Sequence, residues 1–423
     1  MTSYDKLPKD ELRNLYDRCK NEFEGYKELG LKLDMSRGKP GADQLDLVMG
    51  MMNVLGPDDY LAEDGSDCRN YGGLDGIPEM KRIFAELMEV RQDEVLVGGN
   101  ASLTLMYESI IAFLTGPKDT AGARTRRLKF LCPAPGYDRH FTISEYLGFE
   151  LVSIPMMSDG PDMEEIRRQV KDPAVAGIWC VPVFSNPQGI VYSERVIREM
   201  AALKPAAKDF RIFWDNAYIV HSFEGEPPRI LNILRECELQ GNYDMALVFS
   251  SFSKISFAGA GVCAMAASPQ NLKRMREHLI VQSIGPDKIN QLRHVRYFKN
   301  ADGIRLHMKE VAKLLRPKFQ AVLDGLETGL AGKGIGNWLK PGGGYFVSFD
   351  TMPGCAGRVV ALCAEAGVVM TPAGAAYPYG QDPQDKNIRI APTFPSLEQL
   401  KQAIKVFCAA VELAALEKLL GLH

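Results

Sequence analysis

A lysine with possible chemical use follows a predicted strand in this chain. The apolar run Met245–Phe249 stops at Ser250 and Ser251, and Lys254 comes three residues later. A strand that ends this way places Lys254 in a loop at its carboxyl end, where open α/β sheets bind their ligands. A lysine there can lose its proton and attack a carbonyl, as in Schiff-base enzymes. Taken alone, Lys254 is more often a surface lysine on a serine-rich turn, so other segments must decide.

Four further predicted strands also end in polar residues. Phe210–Trp214 precedes Asp215 and Tyr218, Ala176–Val181 precedes Asn186, Leu128–Leu131 precedes Tyr137 and His140, and Glu94–Val97 precedes Gly98–Ser102. The last loop leads into the helical stretch Leu103–Leu114, and unpaired N–H groups at a helix N-terminus favour a phosphate. Five such strand ends in one chain favour a single crevice.

Pyridoxal phosphate needs this set of groups: a lysine for the Schiff base, an acid for the pyridine nitrogen and an anion site. If Asp215 raises the pKa of the ring nitrogen by about two to three, it contributes roughly 3–4 kcal/mol. Tyr218 and Asn186 are the types expected beside the phenolic oxygen, and Tyr137 offers a face for stacking on the ring. The alternatives are that Asp215 caps a helix or turn, and that Tyr137 caps a turn.

The chain resembles the fold-type-I pyridoxal-phosphate-dependent aminotransferases of class I/II. Ser185–Gly189 resembles their Asn-Pro-x-Gly turn, Asp215–Tyr218 their Asp-x-Ala-Tyr, Ser251–Lys254 their Ser-x-x-Lys, and Asn387–Pro392 the segment of their carboxylate-binding arginine. The matches keep the family's order from about Leu33 to Pro392. Three segments resemble those of a divergent bacterial branch of the family: Ser36–Pro40, Phe252–Gly261 and Gly285–His294. This branch includes the aminotransferase domains of MocR-type regulators and some aspartate aminotransferases.

The resemblance implies roles for individual residues. Lys254, Asp215 and Tyr218 would be catalytic, and His140 would support Asp215. The cofactor would be bound by Gly99, Asn100, Ala101, Ser102, Tyr137, His140, Asn186, Asp215, Tyr218, Ser251, Ser253 and Lys254, with Tyr71 reaching the cofactor phosphate of the partner in a homodimer. The substrate would be bound by Arg389, Asn186, Gly38, Arg37 and Lys288.

Two departures from the family pattern concern the cofactor, and one prediction concerns the side chain of the substrate. Gly261 stands where the family has a phosphate-pairing arginine, so the phosphate would depend on Ser251, Ser253, the loop Gly99–Ser102 and Tyr71. Tyr137 stands where typical aspartate aminotransferases have tryptophan. A dicarboxylic donor needs a second cation, for which the candidates are Arg37, Lys39, Lys288 and Arg293. For each of these four, a solvated surface charge is the alternative.

The composition is that of a globular protein without unusual partners. The 423 residues are 46% hydrophobic and 24% charged, and the net charge of -3 gives no reason to expect a nucleic acid or an anionic membrane. The N-terminus lacks a signal-peptide pattern, and no apolar stretch approaches the ~20 residues that span a bilayer. The 9 cysteines form no C-x-x-C pair, and the 6 histidines show no metal-ligand spacing. A cytoplasmic protein with reduced thiols and no metal is predicted.

The fold class predicted is α/β. Strand and helix patterns alternate from Ser102 to about Lys299, which predicts a doubly wound, largely parallel sheet. The resemblance implies a large domain, residues 50–303, with a seven-stranded type of sheet between helices, and a smaller α+β domain from residues 1–49 and 304–423. Helices are predicted at Lys6–Leu29 and at Gly303–Leu330, the second with a kink at Pro317.

Several functions compete with the leading one, an aminotransferase that moves an amino group from an L-amino acid, best aspartate, to 2-oxoglutarate by a ping-pong mechanism. Gly259–Ala264 fits the dinucleotide pattern G-x-G-x-x-A, but an NAD-dependent dehydrogenase would leave Lys254 and Asp215 unexplained. A lyase or decarboxylase would keep the cofactor and change the reaction. A non-catalytic sensor would resemble MocR regulators, but only about 30 residues precede Asp34, too few for their DNA-binding domain, so an enzyme is expected.

Overall fold

The structure, a computed structural model, describes residues 3–114 and 127–422. The strands are β1 (Leu33–Asp34), β2 (Val95–Val97), β3 (Lys129–Ala134), β4 (Glu150–Met157), β5 (Gly160–Pro161), β6 (Val175–Cys180), β7 (Arg211–Asp215), β8 (Ala246–Ser251), β9 (Cys263–Ala267), β10 (Gly336–Trp338), β11 (Val347–Thr351), β12 (Val368–Val369) and β13 (Asn387–Ile390). The helices are α1 (Lys9–Glu28), α2 (Ala42–Asp46), α3 (Pro78–Met88), α4 (Ser102–Leu114), α5 (Asp138–Tyr146), α6 (Met163–Gln169), α7 (Glu194–Ala201), α8 (Ile233–Leu239), α9 (Pro269–Gln282), α10 (Lys288–Phe298), α11 (Ala301–Leu330), α12 (Ala356–Glu365) and α13 (Leu397–Leu420).

A central sheet organises the middle of the chain. Within the described ranges it has eight strands in the order β2-β9-β8-β7-β6-β3-β4-β5. The run from β8 to β4 is parallel, β9 is antiparallel to both β8 and β2, and the two-residue β5 pairs antiparallel to β4 at the edge. The predicted α/β fold with a mostly parallel sheet is confirmed, with β5 as a short addition to the seven strands expected.

Helices cover both faces of this sheet, which is why its parallel strands are almost continuously apolar. On one face, α4 and α9 pack through Met106 and Met275 against Phe213. On the other, α3 and α8 pack through Phe84 and Leu234 against a core that includes Trp214. Successive side chains of a strand point to opposite faces, so Phe213 and Trp214 serve different layers.

The five predicted strand ends come together at one edge of the sheet. β7 ends at Asp215 itself, which lies opposite Phe249 of β8. Because parallel strands end on the same side, the residues that follow β3, β6, β7 and β8 share this edge. β2 joins them, since it is antiparallel to β9, which is itself antiparallel to β8.

A second group of elements, largely helical, lies outside the central sheet. β10, β11 and β13 make an antiparallel sheet, and α13 packs against both α1 and α11. α1 begins after Pro8, within the predicted range, and α11 continues as one helix through Pro317. The proposed division of the chain at residues 50 and 303 stays a prediction.

The dinucleotide pattern does not have the structure that its chemistry requires. Cys263 and Ala264 open β9 rather than a helix, so Gly259–Ala264 provides no helix N-terminus for a pyrophosphate. Among the described residues, the structure has no helix that combines the length and the apolar character needed to cross a bilayer.

Candidate active site

Lys254 lies in the turn that follows β8, and aromatic side chains enclose it. Its amine is 5.4 Å from the ring centroid of Tyr218 and 5.7 Å from that of Tyr345. Its backbone carbonyl accepts hydrogen bonds from the Tyr345 hydroxyl at 3.3 Å and from Nε2 of His221 at 3.4 Å. The turn is therefore fixed from two sides while the amine points into the crevice.

The environment of Lys254 makes its amine a better nucleophile. Burial lowers the pKa of Lys254; the negative charge of Asp215 opposes that change and the positive charge of Arg389 adds to it. A lower pKa leaves more of the amine unprotonated near neutral pH, which is the form that attacks a carbonyl. The same charges show that an acid and an arginine, both predicted from the sequence, lie around this amine.

Asp215 is held by a histidine on one side and is open on the other. Nε2 of His140 donates to Oδ2 of Asp215 at 3.0 Å. The His140 ring stacks on Trp179, with centroids 4.2 Å apart and planes 8° apart, and meets Tyr137 edge-on at 4.8 Å. Oδ1 of Asp215 is buried, with no hydrogen-bond partner among the described residues. A buried carboxylate oxygen without a partner is costly, so this atom is suited to accept from the N–H of a ligand.

Two phenols beside this carboxylate are kept in their neutral form. Burial raises the pKa of Tyr137, and the charge of Asp215 raises it further. Burial also raises the pKa of Tyr218, with Tyr137 and Asp215 adding to the effect. Both hydroxyls therefore remain hydrogen-bond donors at neutral pH.

Arg389 reaches the crevice from β13, and one edge of its guanidinium is free. Nη1 donates to Oδ1 of Asp138 at 2.8 Å and to Oδ1 of Asn186 at 3.3 Å. The guanidinium carbon lies 4.9 Å from the ring centroid of Phe346, and Nε is buried without a described hydrogen-bond partner. The sequence predicted Arg389 and Asn186 but not Asp138, although its place directly after Tyr137 was a signal.

The predicted residues around Gly38 lie near this arginine in different ways. A Cβ at Gly38 would lie 2.4 Å from Cζ of Phe346, so the glycine lets its loop approach the ring that packs on Arg389. Arg37 and Lys39 are exposed, and Nζ of Lys39 lies 3.9 Å from the ring centroid of Phe394. Gly38 is thus connected to the arginine through Phe346, and its two charged neighbours are accessible to solvent.

The predicted phosphate loop, Gly99–Ser102, lies against the turn that carries Lys254. Ser253 Oγ donates to the carbonyl oxygen of Asn100 at 3.2 Å, and Nδ2 of Asn100 donates to the carbonyl of Gly259 at 3.4 Å. Ser102 is the first residue of α4, and Ser251, at the end of β8, is buried. The loop and the lysine turn therefore form one wall, which leaves Gly99 and Asn100 exposed.

The position of the missing arginine is next to this wall. A Cβ at Gly261 would lie 3.1 Å from the backbone nitrogen of Ser253 and 3.3 Å from the carbonyl oxygen of Asn100. Nδ2 of Asn290 donates to the carbonyl of Gly261 at 2.8 Å. One helical turn later, Arg293 lines a cavity of about 570 Å³ together with Asn100, and its Nε is buried without a described partner. An arginine is therefore present, but on α10 rather than at position 261.

Two predicted residues do not line the crevice of their own chain. The side chain of Tyr71 is 84% exposed. Nζ of Lys288 donates to the backbone carbonyls of Asn70 and Gly72, at 2.7 and 2.6 Å. The prediction that Lys288 binds the substrate finds no support in this arrangement, because the ammonium is directed at the loop of Tyr71.

Known proteins are similar to this chain over nearly its whole length. The sequence profile of a family described as aspartate amino-transferase matches residues 7–423. The aspartate aminotransferase of Corynebacterium glutamicum is 44% identical over 405 residues, which cover 95% of this chain and 94% of the relative. A crystal structure of an aspartate transaminase from the same organism superposes with a TM-score of 0.95 at 43% identity and covers 99% of each chain. A more distant match is an uncharacterized HTH-type transcriptional regulator of Bacillus subtilis, YdfD, 22% identical over 64% of this chain and 53% of the regulator.

Proposed function

The chain belongs to the aspartate aminotransferase family of pyridoxal-phosphate-dependent enzymes, and we propose that it moves the amino group of L-aspartate to 2-oxoglutarate. The relative from C. glutamicum, named an aspartate aminotransferase, supports the choice of donor. The reaction would run in two halves, in which the first 2-oxo acid leaves before the second one binds. One observation carries the proposal: a partly buried lysine of lowered pKa faces both a carboxylate and an arginine.

The described residues fit pyridoxal phosphate. Lys254 offers the amine for its aldehyde, and the partnerless Oδ1 of Asp215 offers an acceptor for its ring nitrogen. The loop Gly99–Ser102 offers backbone N–H groups at the start of α4 for its phosphate. When bound, the cofactor supplies an electron-accepting ring that stabilises negative charge on the α-carbon of the substrate.

The side chains of the crevice would divide the work around that ring. Lys254, once free of the cofactor, would take the proton from the α-carbon of the substrate and return it at the carbon that receives the amino group. Asp215 would keep the ring nitrogen protonated. Tyr218 and Asn186 would donate to the phenolic oxygen of the ring, and Tyr137 would pack on its face.

Arg389 would bind the α-carboxylate of the amino acid. Its Nη1 already donates to Asp138 and Asn186, so the carboxylate would take the edge formed by Nε and Nη2. For the second carboxylate of aspartate we propose Arg37, which is exposed and directly precedes Gly38. Arg389 belongs to the predicted smaller domain, residues 1–49 and 304–423, so closure of that domain would couple carboxylate binding to catalysis.

The phosphate would be completed by a second copy of the chain. Ser251, Ser253 and Arg293 would bind it together with the loop Gly99–Ser102, and Tyr71 would come from the partner of a homodimer. Three apolar side chains near the Tyr71 loop are exposed to solvent in a single chain: Ile280 is 65% exposed, Val281 88% and Ile284 61%. Their exposure supports a dimer, because an interface would bury them. A two-fold axis would bring each Tyr71 to the other chain's crevice.

The test of the proposal is the covalent link between Lys254 and the cofactor. Borohydride reduction of the wild-type protein, followed by mass spectrometry of its peptides, should find a pyridoxyl group on Lys254. Lys254→Ala should give no such adduct and should lose transamination by roughly 10⁴-fold or more, because both the nucleophile and the proton-transferring group are gone. Lys273→Ala, at an exposed position of α9, is the control and should behave as wild type. Near-native transamination by Lys254→Ala would rule the proposal out.

The substrate assignment is tested with a panel of amino donors and 2-oxoglutarate. Arg389→Ala should raise KM for every amino acid by roughly 100-fold, which corresponds to about 3 kcal/mol for a bidentate, charge-assisted contact. Arg37→Ala should raise KM for aspartate and glutamate and leave that for alanine unchanged. If the wild type prefers alanine to aspartate, the assignment of aspartate as the amino donor is wrong. Release of carbon dioxide in place of a 2-oxo acid would indicate a decarboxylase.

A further inference from the structure

The ammonium of Lys288 donates its hydrogen bonds to the backbone of a neighbouring loop. Lys288 is the first residue of α10, only 5% of its surface is exposed, and its ammonium donates to the carbonyls of Asn70 and Gly72. Within residues 3–114 and 127–422, no carboxylate oxygen lies within 4.0 Å of this ammonium. The carbonyls it bonds belong to the two residues that flank Tyr71.

The burial of the Lys288 ammonium among main-chain carbonyls calls for a physical explanation. A buried ammonium without a carboxylate is costly unless its hydrogens are taken by good acceptors, and here the acceptors are main-chain carbonyls. The geometry that satisfies Lys288 is therefore the geometry that fixes the backbone on both sides of Tyr71. A structural lysine would serve equally well with any acceptor, but these two carbonyls constrain the backbone from which the Tyr71 side chain leaves.

The rest of the loop is held against the same helix. Ile77 N donates to Oε1 of Gln291 at 2.9 Å. A Cβ at Gly285 would lie 2.6 Å from the carbonyl oxygen of Gly72, and one at Gly73 would lie 3.2 Å from Cδ of Lys288. The loop and the start of α10 therefore pack without space for larger residues. Tyr71 projects from this packed unit, with 84% of its surface exposed.

We propose that Lys288 is a positioning residue that holds Tyr71 ready for the cofactor phosphate of a second copy. The inference rests on the proposed function, since it needs pyridoxal phosphate in the partner's crevice. Tyr71 is too exposed to line the crevice of its own chain, and the bonded carbonyls hold the backbone that carries it before any partner arrives. Lys288 thus acts through Tyr71 and through the other subunit, and it does not touch the amino acid.

The first experiment compares two ligands that differ only in the phosphate. The apo-protein of Lys288→Met, which keeps the apolar stem and loses the donors, is titrated with pyridoxal phosphate and with pyridoxal. We expect the dissociation constant for pyridoxal phosphate to rise roughly tenfold, the size of one lost hydrogen bond to a charged group, and that for pyridoxal to change less than about twofold. Lys273→Met, on the exposed face of α9, is the matched control. An equal loss for both ligands, or none, overturns the proposal.

Two further variants keep the test valid if Lys288→Met folds poorly. Lys288→Gln retains an amide donor and should show a smaller loss of affinity. Tyr71→Phe, at an exposed position, should lose affinity for pyridoxal phosphate by itself, and adding Lys288→Gln to it should cause no further loss. Additive losses in the double variant would mean that Lys288 does not act through Tyr71.

Hybrid dimers test whether the effect crosses the interface. When Lys254→Ala and Lys288→Met chains are combined with different tags, the single remaining lysine site lies in the Lys288→Met chain. It receives Tyr71 from the chain with an intact Lys288, so its affinity for pyridoxal phosphate should return to the wild-type value. A Lys254→Ala and Ser251→Ala hybrid is the control and should not recover, because Ser251 is in the same chain as the site. A hybrid that binds as weakly as the Lys288→Met homodimer overturns the inference, whereas absence of a borohydride-trapped Lys254 in wild type overturns the proposed function itself.

Discussion

The two ends of the candidate site are built differently. The ring end consists of Tyr137, His140, Asp215, Tyr218 and Lys254, and the phosphate end consists of the loop Gly99–Ser102 with Ser251, Ser253 and Tyr71. At the ring end, His140, Asp215 and Tyr218 are buried, and His140 donates to Asp215 at 3.0 Å. At the phosphate end, Asn100 and Tyr71 are exposed, and the expected arginine is replaced by Gly261.

The difference teaches where each part of the site gets its order. Buried polar groups must find partners during folding, so the ring end is arranged by its own chain before any ligand arrives. Exposed groups have water as an alternative partner, and the phosphate end is completed by the ligand and, in our proposal, by a second subunit. Substitutions at the ring end should therefore change chemistry, and those at the phosphate end should change affinity for the cofactor.

Among the substitutions that compare the two ends, the largest effect is expected at Asp215. Asp215→Asn should lower kcat roughly 100- to 1000-fold, or about 3–4 kcal/mol, because a neutral amide does not hold a proton on the ring nitrogen. The pyridoxyl adduct on Lys254 should still form, which separates this loss from a loss of cofactor. Asp209→Asn, at an exposed acid just before β7, is the control. If kcat of Asp215→Asn stays within threefold of wild type, substitutions at the ring end do not act on the chemistry as we expect.

A smaller effect of another kind is expected at Arg293. Arg293→Gln should weaken binding of pyridoxal phosphate by roughly tenfold and leave kcat at saturating cofactor nearly unchanged, since the arginine would pair with the phosphate only. Titration of the apo-protein measures the first quantity and steady-state rates the second. Arg305→Gln, at a surface ion pair on α11, should do neither. If Arg293→Gln leaves cofactor affinity at the wild-type value, the cavity beside Asn100 is not the phosphate site.

The last effect concerns stability in acid rather than activity or cofactor affinity. Burial lowers the pKa of His221 to about 3, and the charge of Lys254 adds to the decrease. Between about pH 6.5 and that value, the unfolded chain binds a proton that the folded chain lacks, so stability falls as the pH falls, by at most about 1.4 kcal/mol per pH unit. His221→Gln should make this decline shallower, as urea unfolding of the apo-protein between pH 7 and 4.5 would reveal. Parallel curves for the variant and wild type would mean that His221 does not carry the effect.

The sequence was most informative where its signals were local. An apolar run followed by a polar residue marks a strand end, and the structure has Asp215 as the last residue of β7 and Lys254 three residues after β8. The alternation of strand and helix patterns likewise predicted a mostly parallel sheet. These patterns depend on neighbours along the chain, which a reader of the sequence can see.

Contacts between distant segments could not be predicted in the same way. Asp138 and Arg389 are 251 residues apart, and only the fold brings their side chains to 2.8 Å. The partners of Lys288 were likewise hidden, because a lysine in a sequence gives no sign of whether its ammonium meets a substrate or a main-chain carbonyl. The pattern Gly259–Ala264 shows the opposite error: the letters fit a dinucleotide motif, but pairing with β8 makes the segment a strand.

The contact between Asp138 and Arg389 has a consequence for how the enzyme would select its substrates. One guanidinium nitrogen of Arg389 is already paired with the carboxylate of Asp138. An amino acid that binds therefore interacts with a positive charge that is partly neutralised. Weak anions of the wrong shape gain little from such a partner, whereas a flat carboxylate that fits the vacant edge gains two parallel bonds. Asp138 would thus weaken the attraction of Arg389 for anions in general and increase its selectivity for a carboxylate of the right geometry.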